Sequence, residues 1–282
     1  MSGPHLYSLA DAPAGARAAL EEARRTYGFV PNLIAAMADS PPLVTGYWAL
    51  AQAFYSGTLS PAEREVITLA VSYHHRCTYC LAGHAMMAAN AGVPPAEVEA
   101  LRSGRAIADP RLEALRNFVQ RALDRRGRPD PEAEQALLAA GFTRQQLLEV
   151  PLGIAYKTLS NYSHHLLDVP VDSALATYRW TAPPGPTKVL ITGRVRADGA
   201  EALRQYQSAA SPIMKAHGGR PLVRAGESSP LVGHRPDLVV LLEFPTAEAA
   251  AGAFADPAYA QLTPVRERAF EHLDVVAIGG DK

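Results

Sequence analysis

The segment CTYCLAGH, residues 77–84, brings together two cysteines and one histidine, residue types that perform thiol redox chemistry or bind metal ions. Cys77 and Cys80 are the two cysteines of the chain. A C-x-x-C pair can close into a disulfide and reopen, and the thiolate is the attacking species. His84 follows Cys80 by four residues and offers the proton transfer that such chemistry needs. The segment is therefore a candidate redox centre.

A helix must bring these residues onto one face. We expect a helix that begins near Cys77 and ends before Gly92. In such a helix Cys77 and Cys80 are neighbours at i and i+3, and His84 lies one turn further along. A thiol in the first turn also lies near the positive end of the helix dipole, which favours the thiolate.

The preceding helix has the clearest start in the sequence. Ser60, Pro61 and Glu63 predict a capping box with proline at the first helical position. Glu65 lies at the edge of the apolar stripe of this helix, so its carboxylate can reach a partly buried cleft. The chain can return across a turn to Cys77, and the spacing Glu-x11-Cys-x2-Cys-x3-His is much more specific than C-x-x-C alone.

The segment EREVITLAVSYHHRCTYCLAGH resembles the alkylhydroperoxidase D / carboxymuconolactone decarboxylase superfamily of small all-helical proteins, and the helix pattern extends the resemblance over about residues 20–168. The resemblance implies that Cys80 attacks a hydroperoxide and that Cys77 is the resolving thiol. It implies a proton relay through Glu65 and His84, with no metal or organic cofactor. It also implies a dithiol reductant, lipoyl or thioredoxin-like, and a symmetric homo-oligomer.

Tyr79 lies between the two cysteines, where the best-known peroxidases of this superfamily have a histidine. This departure predicts a differently tuned proton relay, and it makes Tyr79 a candidate substrate-binding residue. The decarboxylase branch typically lacks the paired cysteines, so the resemblance favours peroxidase chemistry over decarboxylation.

Other interpretations of the motif stay open. A zinc ion bound by Cys77, Cys80 and His84, with His74 or His75 as the fourth ligand, has plausible ligand spacing, but no second C-x-x-C pair accompanies it. The cysteines could instead be two small core residues. They could also exchange disulfides without meeting a peroxide. A fourth interpretation is a binding or assembly protein whose C-terminal domain captures a small apolar metabolite.

The composition excludes several classes of partner. The chain has 282 residues, a net charge of -1 and 48% hydrophobic residues, which describes a globular protein without the basic stripe that nucleic acid or an anionic membrane attracts. No apolar run is long enough to span a membrane, and the first residues lack the pattern of a secretory signal. We expect a cytoplasmic protein, where a reducing environment disfavours structural disulfides.

The chain is predicted to be an α+β protein of two domains. Residues 1–168 are expected to be all-helical, and residues 169–187 to form a linker that ends in the proline-rich APPGPT. Residues 188–282 predict the order β-α-β-β-α-β of a ferredoxin-like domain. This part resembles a family of the dimeric α/β-barrel superfamily whose biochemical role is unknown.

Polar residues outside the motif are expected to be mainly structural. The pairs His74–His75 and His164–His165 are interpreted as polar helix surface or as hydrogen bonds between helices. In the C-terminal domain, several polar residues are candidates for a ligand cleft but more plausibly stabilise turns, strand edges and a dimer interface. They are His217, Arg220, Arg224, Glu227 and Glu243.

Overall fold

The structure is a computed structural model that describes residues 3–128, 130–182, 185–225 and 235–278. The chain divides into two compact units, Met1–Ala182 and Pro183–Lys282. The first consists of helices, and the second combines an antiparallel sheet with helices. The predicted α+β class with two domains is confirmed. In the described ranges, no helix combines the length and the apolar composition needed to cross a bilayer.

Proline is the first residue of many helices in the first unit. It has no backbone N–H, and the N–H groups of the first helical turn have no partner within the helix, so no hydrogen bond is lost there. The helices described in this unit are α1 (Ala14–Tyr27), α2 (Asn32–Met37), α3 (Pro41–Tyr55), α4 (Pro61–His74), α5 (Thr78–Asn90), α6 (Pro95–Arg102), α7 (Pro110–Asp124), α8 (Pro131–Ala139) and α9 (Arg144–Leu167). Proline is the first residue of α3, α4, α6, α7 and α8.

The connection between α4 and α5 sets the position of the cysteine motif. The capping box predicted at the start of α4 is present, with Ser60 and Glu63 each bonding the other's backbone N–H. After α4 ends, Arg76 adopts a left-handed conformation with φ of 57°. Cys77 is then the N-cap residue of α5, and its sulfur accepts a hydrogen bond from the backbone N–H of Cys80 at 3.4 Å. The predicted helix start is thus observed.

Helix α9 packs against α3 and α4 at a point of close approach. It is continuous from Arg144 to Leu167, and Pro151 lies within it. Gly153 is buried at the contact, where a side chain would meet Phe54 of α3 and Ile67 of α4. The absence of a side chain at Gly153 allows α9 to lie directly against the middle of the bundle.

The segment after α9 folds back onto the helices. Val169 and Leu175 are buried, residues Ser173–Tyr178 form a 3-10 helix, and the indole of Trp180 donates to the carbonyl of Arg102 at 2.8 Å. Residues 169–182 therefore belong to the first unit, whereas the sequence predicts a linker over 169–187. Proline content identifies only the end of the segment, while its apolar residues bind it to the helices.

The second unit has the predicted β-α-β-β-α-β order, with three short helices in place of the second one. Its sheet order is β2-β3-β1-β4, and all neighbours are antiparallel. Its elements are β1 (Thr187–Val195), α10 (Ala200–Ala216), β2 (Arg220–Ala225), β3 (Leu238–Phe244), α11 (Ala247–Ala255), α12 (Pro257–Ala260), α13 (Thr263–Ala269) and β4 (Phe270–Ile278).

Charged residues of the second unit pair with one another, as the structural interpretation predicts. Arg220 on β2 binds Glu243 on β3, with its Nε 2.9 Å from Oε1. His217, at the end of α10, lies 2.9 Å from the carboxylate of Asp256. Glu227 and the side chain of Arg224, the other two candidates of this set, lie outside the described residues.

Replacing Gly153 with alanine is expected to lower the free energy of unfolding of the first unit. The added methyl group would lie 2.6 Å from the ring of Phe54 and 2.8 Å from Cγ2 of Ile67. We expect a loss of about 1–3 kcal/mol, the usual cost of overpacking a core. Urea unfolding followed by tryptophan fluorescence measures it, since both tryptophans of the chain lie in this unit.

Gly46→Ala in α3 is the matched control for Gly153→Ala. An added methyl group at Gly46 meets no atom within 4 Å. This variant should be neutral or stabilise by up to about 1 kcal/mol, because alanine favours a helix over glycine. Equal stability of the two variants would contradict the close approach of α9 to α3 and α4.

Candidate active site

The two cysteines are buried, reduced thiols at the start of α5. Cys77 caps the helix and Cys80 occupies its first turn, so the backbone N–H groups of that turn surround the pair. Each of the two thiols affects the pKa of the other. Two thiols at this spacing in the first turn of a helix are the arrangement that exchange between dithiol and disulfide uses.

His84 and Glu65 form a buried hydrogen-bonded pair between α5 and α4. Nδ1 of His84 lies 2.8 Å from Oε2 of Glu65, and both residues are at most 5% exposed. The hydroxyl of Thr68 donates to the same carboxylate at 3.0 Å, and that of Tyr55 donates at 3.3 Å. With Nδ1 bound to the carboxylate, Nε2 is the nitrogen of His84 left for proton transfer. The structure thus brings together all four residues of the predicted motif.

The surroundings shift the pKa values of the two thiols in opposite directions. Burial alone raises the pKa of the Cys80 thiol, because an apolar environment disfavours the thiolate. A hydrogen bond from Cys77 and the positive charges of Lys157 and His84 oppose this effect, and the pKa of Cys80 is held well below its usual range. The same hydrogen bond, together with burial, raises the pKa of Cys77. Of the two thiols, Cys80 is therefore the one whose surroundings favour the thiolate.

Helix α9 contributes residues that the sequence motif does not reveal. Lys157 is 2% exposed, with its ammonium group 5.0 Å from the ring centre of Tyr156. Ser160 Oγ lies 3.9 Å from Cys80 Sγ, and a hydrogen bond from Asn161 helps to lower the pKa of Cys80. The one available signal was a lysine inside the apolar run PLGIAYKTL, since lysine is rarely buried without a partner.

Tyr79 is fixed by the segment that follows α9. Its hydroxyl donates to the carboxylate of Asp172 and accepts from the backbone N–H of Leu33 at 3.2 Å. Asp172 also accepts from the backbone N–H of Asn32 at 3.0 Å. Burial and the neighbouring carboxylate raise the pKa of Tyr79. Tyr79 is thus a hydrogen-bonded part of the wall of the cavity that Cys80 also lines.

A cavity of about 70 Å³ lies against the reactive groups. Cys80, His84, Lys157 and Tyr79 line it, whereas Cys77 does not. The rest of its wall is mainly aromatic and aliphatic, and includes Tyr27, Phe29, Leu33, Ile34, Tyr47 and Tyr156. Of the two thiols, Cys80 is the one that a small molecule in this cavity would contact.

The histidines of the zinc interpretation have other partners. Glu65 holds Nδ1 of His84, Nδ1 of His74 lies 3.7 Å from Asp124, and Nε2 of His75 lies 3.3 Å from the hydroxyl of Thr158. The structure does not gather them around the cysteines. His164 also differs from the surface position considered for it, because it is buried and packs on Tyr79 with 5.4 Å between ring centres.

Comparison with known proteins identifies the two domains. Residues 41–121 match the model of the carboxymuconolactone decarboxylase family, and residues 188–281 match DUF1330, a domain of unknown function. The chain thus joins a domain of the carboxymuconolactone decarboxylase family to a DUF1330 domain. No curated protein matches the chain.

Solved structures share the fold of the helical domain. The AhpD core of an uncharacterized peroxidase-related protein from Ralstonia eutropha JMP134 has a TM-score of 0.55 at 24% identity, covering 60% of this chain and 92% of its own. An uncharacterized peroxidase-related protein from Silicibacter sp. TM1040 has a TM-score of 0.54 at 19% identity, covering 63% and 97%. The debrominase Bmp8, in a variant bound to 2,3,4-tribromopyrrole, has a TM-score of 0.53 at 18% identity. The match covers 62% of this chain and 94% of the chain of Bmp8.

Replacing Lys157 with glutamine is expected to raise the pKa of Cys80, because a positive charge near the thiolate is lost. The midpoint of the pH dependence of iodoacetamide alkylation at Cys80 should move upward by about one pH unit or more, which corresponds to about tenfold in thiolate fraction below the midpoint. Peptide mass spectrometry assigns the alkylated cysteine. Lys215→Gln, at an exposed position of α10, is the control and should leave the midpoint unchanged. An unchanged midpoint in Lys157→Gln would contradict the role of this charge.

Proposed function

We propose that the helical domain is a thiol-dependent peroxidase that reduces hydroperoxides through Cys80 and Cys77. The observation that carries the proposal is the asymmetry of the pair. Cys80 has the lowered pKa and lines the cavity, whereas Cys77 has the raised pKa and does not. The predicted roles of attacking and resolving thiol follow this asymmetry.

In the first step, the Cys80 thiolate attacks the outer oxygen of the hydroperoxide. An S–O bond forms, the O–O bond breaks, and Cys80 becomes a sulfenic acid. The leaving alkoxide takes a proton from His84, whose ring lines the cavity. The carboxylate of Glu65, 2.8 Å from Nδ1, stabilises the imidazolium before the transfer and keeps the ring in place afterwards.

In the second step, the sulfur of Cys77 attacks the sulfur of the Cys80 sulfenic acid. An S–S bond forms, the S–O bond breaks, and the hydroxyl leaves as water with the proton of the Cys77 thiol. A dithiol, either a lipoyl group or a thioredoxin-like protein, then reduces the disulfide by exchange and is itself oxidised to a disulfide. The cycle needs no metal or organic cofactor in the protein.

The cavity favours a small, apolar hydroperoxide. A volume of about 70 Å³ has room for few non-hydrogen atoms, and the wall consists mostly of aromatic and aliphatic side chains. The polar lining includes Lys157 and His84, which lie near enough to Cys80 to lower the pKa of its thiol. A substrate with a polar peroxide group and an apolar remainder matches this distribution.

Serine variants of the two cysteines separate their roles. Cys80→Ser is expected to abolish hydroperoxide consumption in the presence of dihydrolipoamide, because the attacking sulfur is lost. Without added dithiol, Cys77→Ser should consume one equivalent of hydroperoxide per chain and then stop with Cys80 as a sulfenic acid, because that acid has no partner thiol in the chain. A peroxide assay with thiol mass spectrometry measures both results.

Full steady-state turnover in either serine variant would overturn the assigned roles. Wild-type protein that consumes no hydroperoxide, but reduces protein disulfides, would favour the disulfide exchange interpretation instead. A matched variant with Ser103→Ala, outside the site on the exposed end of α6, should behave as wild type in both assays.

We further propose a homo-oligomer. Helix α9 presents Leu148, Tyr162 and Leu166 to solvent with exposures of 62%, 53% and 85%, and such a surface suits contact with a second copy. Light scattering should give a mass that is a multiple of 30.1 kDa, and Leu166→Glu should lower it. A wild-type mass of one chain would refute this proposal.

A further inference from the structure

Cys77, which does not line the cavity, lies near two histidines. His164 and His165 are consecutive residues in the last turn of α9. A ring nitrogen of each and Sγ of Cys77 all lie within 4.8 Å of one another. Three potential metal ligands, from the start of α5 and the end of α9, thus lie close together. Among the residues that the structure describes, no other three His, Cys, Asp or Glu side chains lie as close to one another.

His164 has an unused coordinating atom at this place. Its side chain is 7% exposed, and its Nε2 lies 3.2 Å from the carbonyl oxygen of Val169. Its Nδ1 is buried and has no hydrogen-bond partner. Buried polar atoms are almost always paired, so an unpaired ring nitrogen on a histidine of this cluster points to a ligand that completes its coordination.

We propose that Cys77, His164 and His165 bind a zinc ion, with a water molecule in the fourth position. Thiolate and imidazole are preferred ligands of this ion. Bond lengths of about 2.0–2.3 Å place ligand atoms on a tetrahedral ion about 3.3–3.6 Å apart, so the three atoms must approach by about 1 Å. His165 is exposed, and its side chain provides both this movement and the entrance for the ion.

Zinc binding excludes the second step of the proposed peroxidase cycle, a consequence that rests on the proposed function. Binding replaces the proton of the Cys77 thiol with the metal, and the proton passes to solvent. The sulfur of Cys77 then has no free thiolate for attack on the Cys80 sulfenic acid. Formation of the Cys77–Cys80 disulfide removes the thiolate ligand in turn and releases the ion. The site would couple zinc occupancy to the redox state of the pair.

Zinc titration of the reduced, metal-free, full-length protein tests the site. We expect one zinc ion per chain by competition with a chromogenic chelator. Cys77→Ser and His165→Ala should each weaken binding at least about tenfold, since each removes one of three protein ligands. Cys80→Ser and His272→Ala, the latter at an exposed histidine of β4, should bind as wild type. Cobalt should show a thiolate charge-transfer band that Cys77→Ser lacks.

Absence of stoichiometric zinc binding, or equal affinity in His165→Ala and wild type, would overturn the site. Loss of binding in Cys80→Ser with retention in Cys77→Ser would overturn the ligand assignment. Thermal unfolding of each variant checks that the fold is intact, and the exposed position of His165 keeps one variant free of core disruption. The titration contains no peroxide and the peroxide assay contains a chelator, so either proposal can fail without the other.

Discussion

The short contact between His84 and Glu65 is the interaction on which the arrangement of the first unit's polar core depends. A carboxylate buried to this extent needs partners, because transfer of a charge from water to an apolar interior is costly. Glu65 has three of them, from α3, α4 and α5, so the contact joins the helices that surround the cysteines. It also selects which nitrogen of His84 faces the reaction.

The C-x-x-C pair acquires its asymmetry from tertiary structure. In isolation the two thiols of such a motif differ only in their place in the first turn. Here Lys157 and Asn161 approach Cys80 from α9, while His164 and His165 of the same helix lie beside Cys77. One helix thus provides two different environments for two sulfur atoms three residues apart. The close approach of α9 at Gly153 is part of what permits this.

The local part of the site could be predicted from the sequence, because Glu65, Cys77, Cys80 and His84 lie within one helical hairpin. Their spacing on α4 and α5 determines which side chains meet. Residues from α9 and from the following segment lie about 70 to 95 positions further along, and no periodicity relates them to the motif. The bounds predicted for the linker, 169–187, differ from the structure for a similar reason. Composition indicates where a chain leaves a helix, but not which earlier residues the following segment packs against. The order of strands and helices along the second unit was easier to predict, because its runs rich in Val, Ile and Leu stand apart from its helical stretches.

Part of the cavity wall comes from α9 and the segment after it, which lie outside the residues that match the family model. Residues 41–121, which match the family model, contain the thiols, the carboxylate and the imidazole, whereas Lys157 and Asp172 lie beyond them. The reacting groups and part of the cavity wall are thus encoded in separate stretches of the chain. Evolution can exchange the second stretch while it keeps the first, so two chains with identical motifs can admit different molecules.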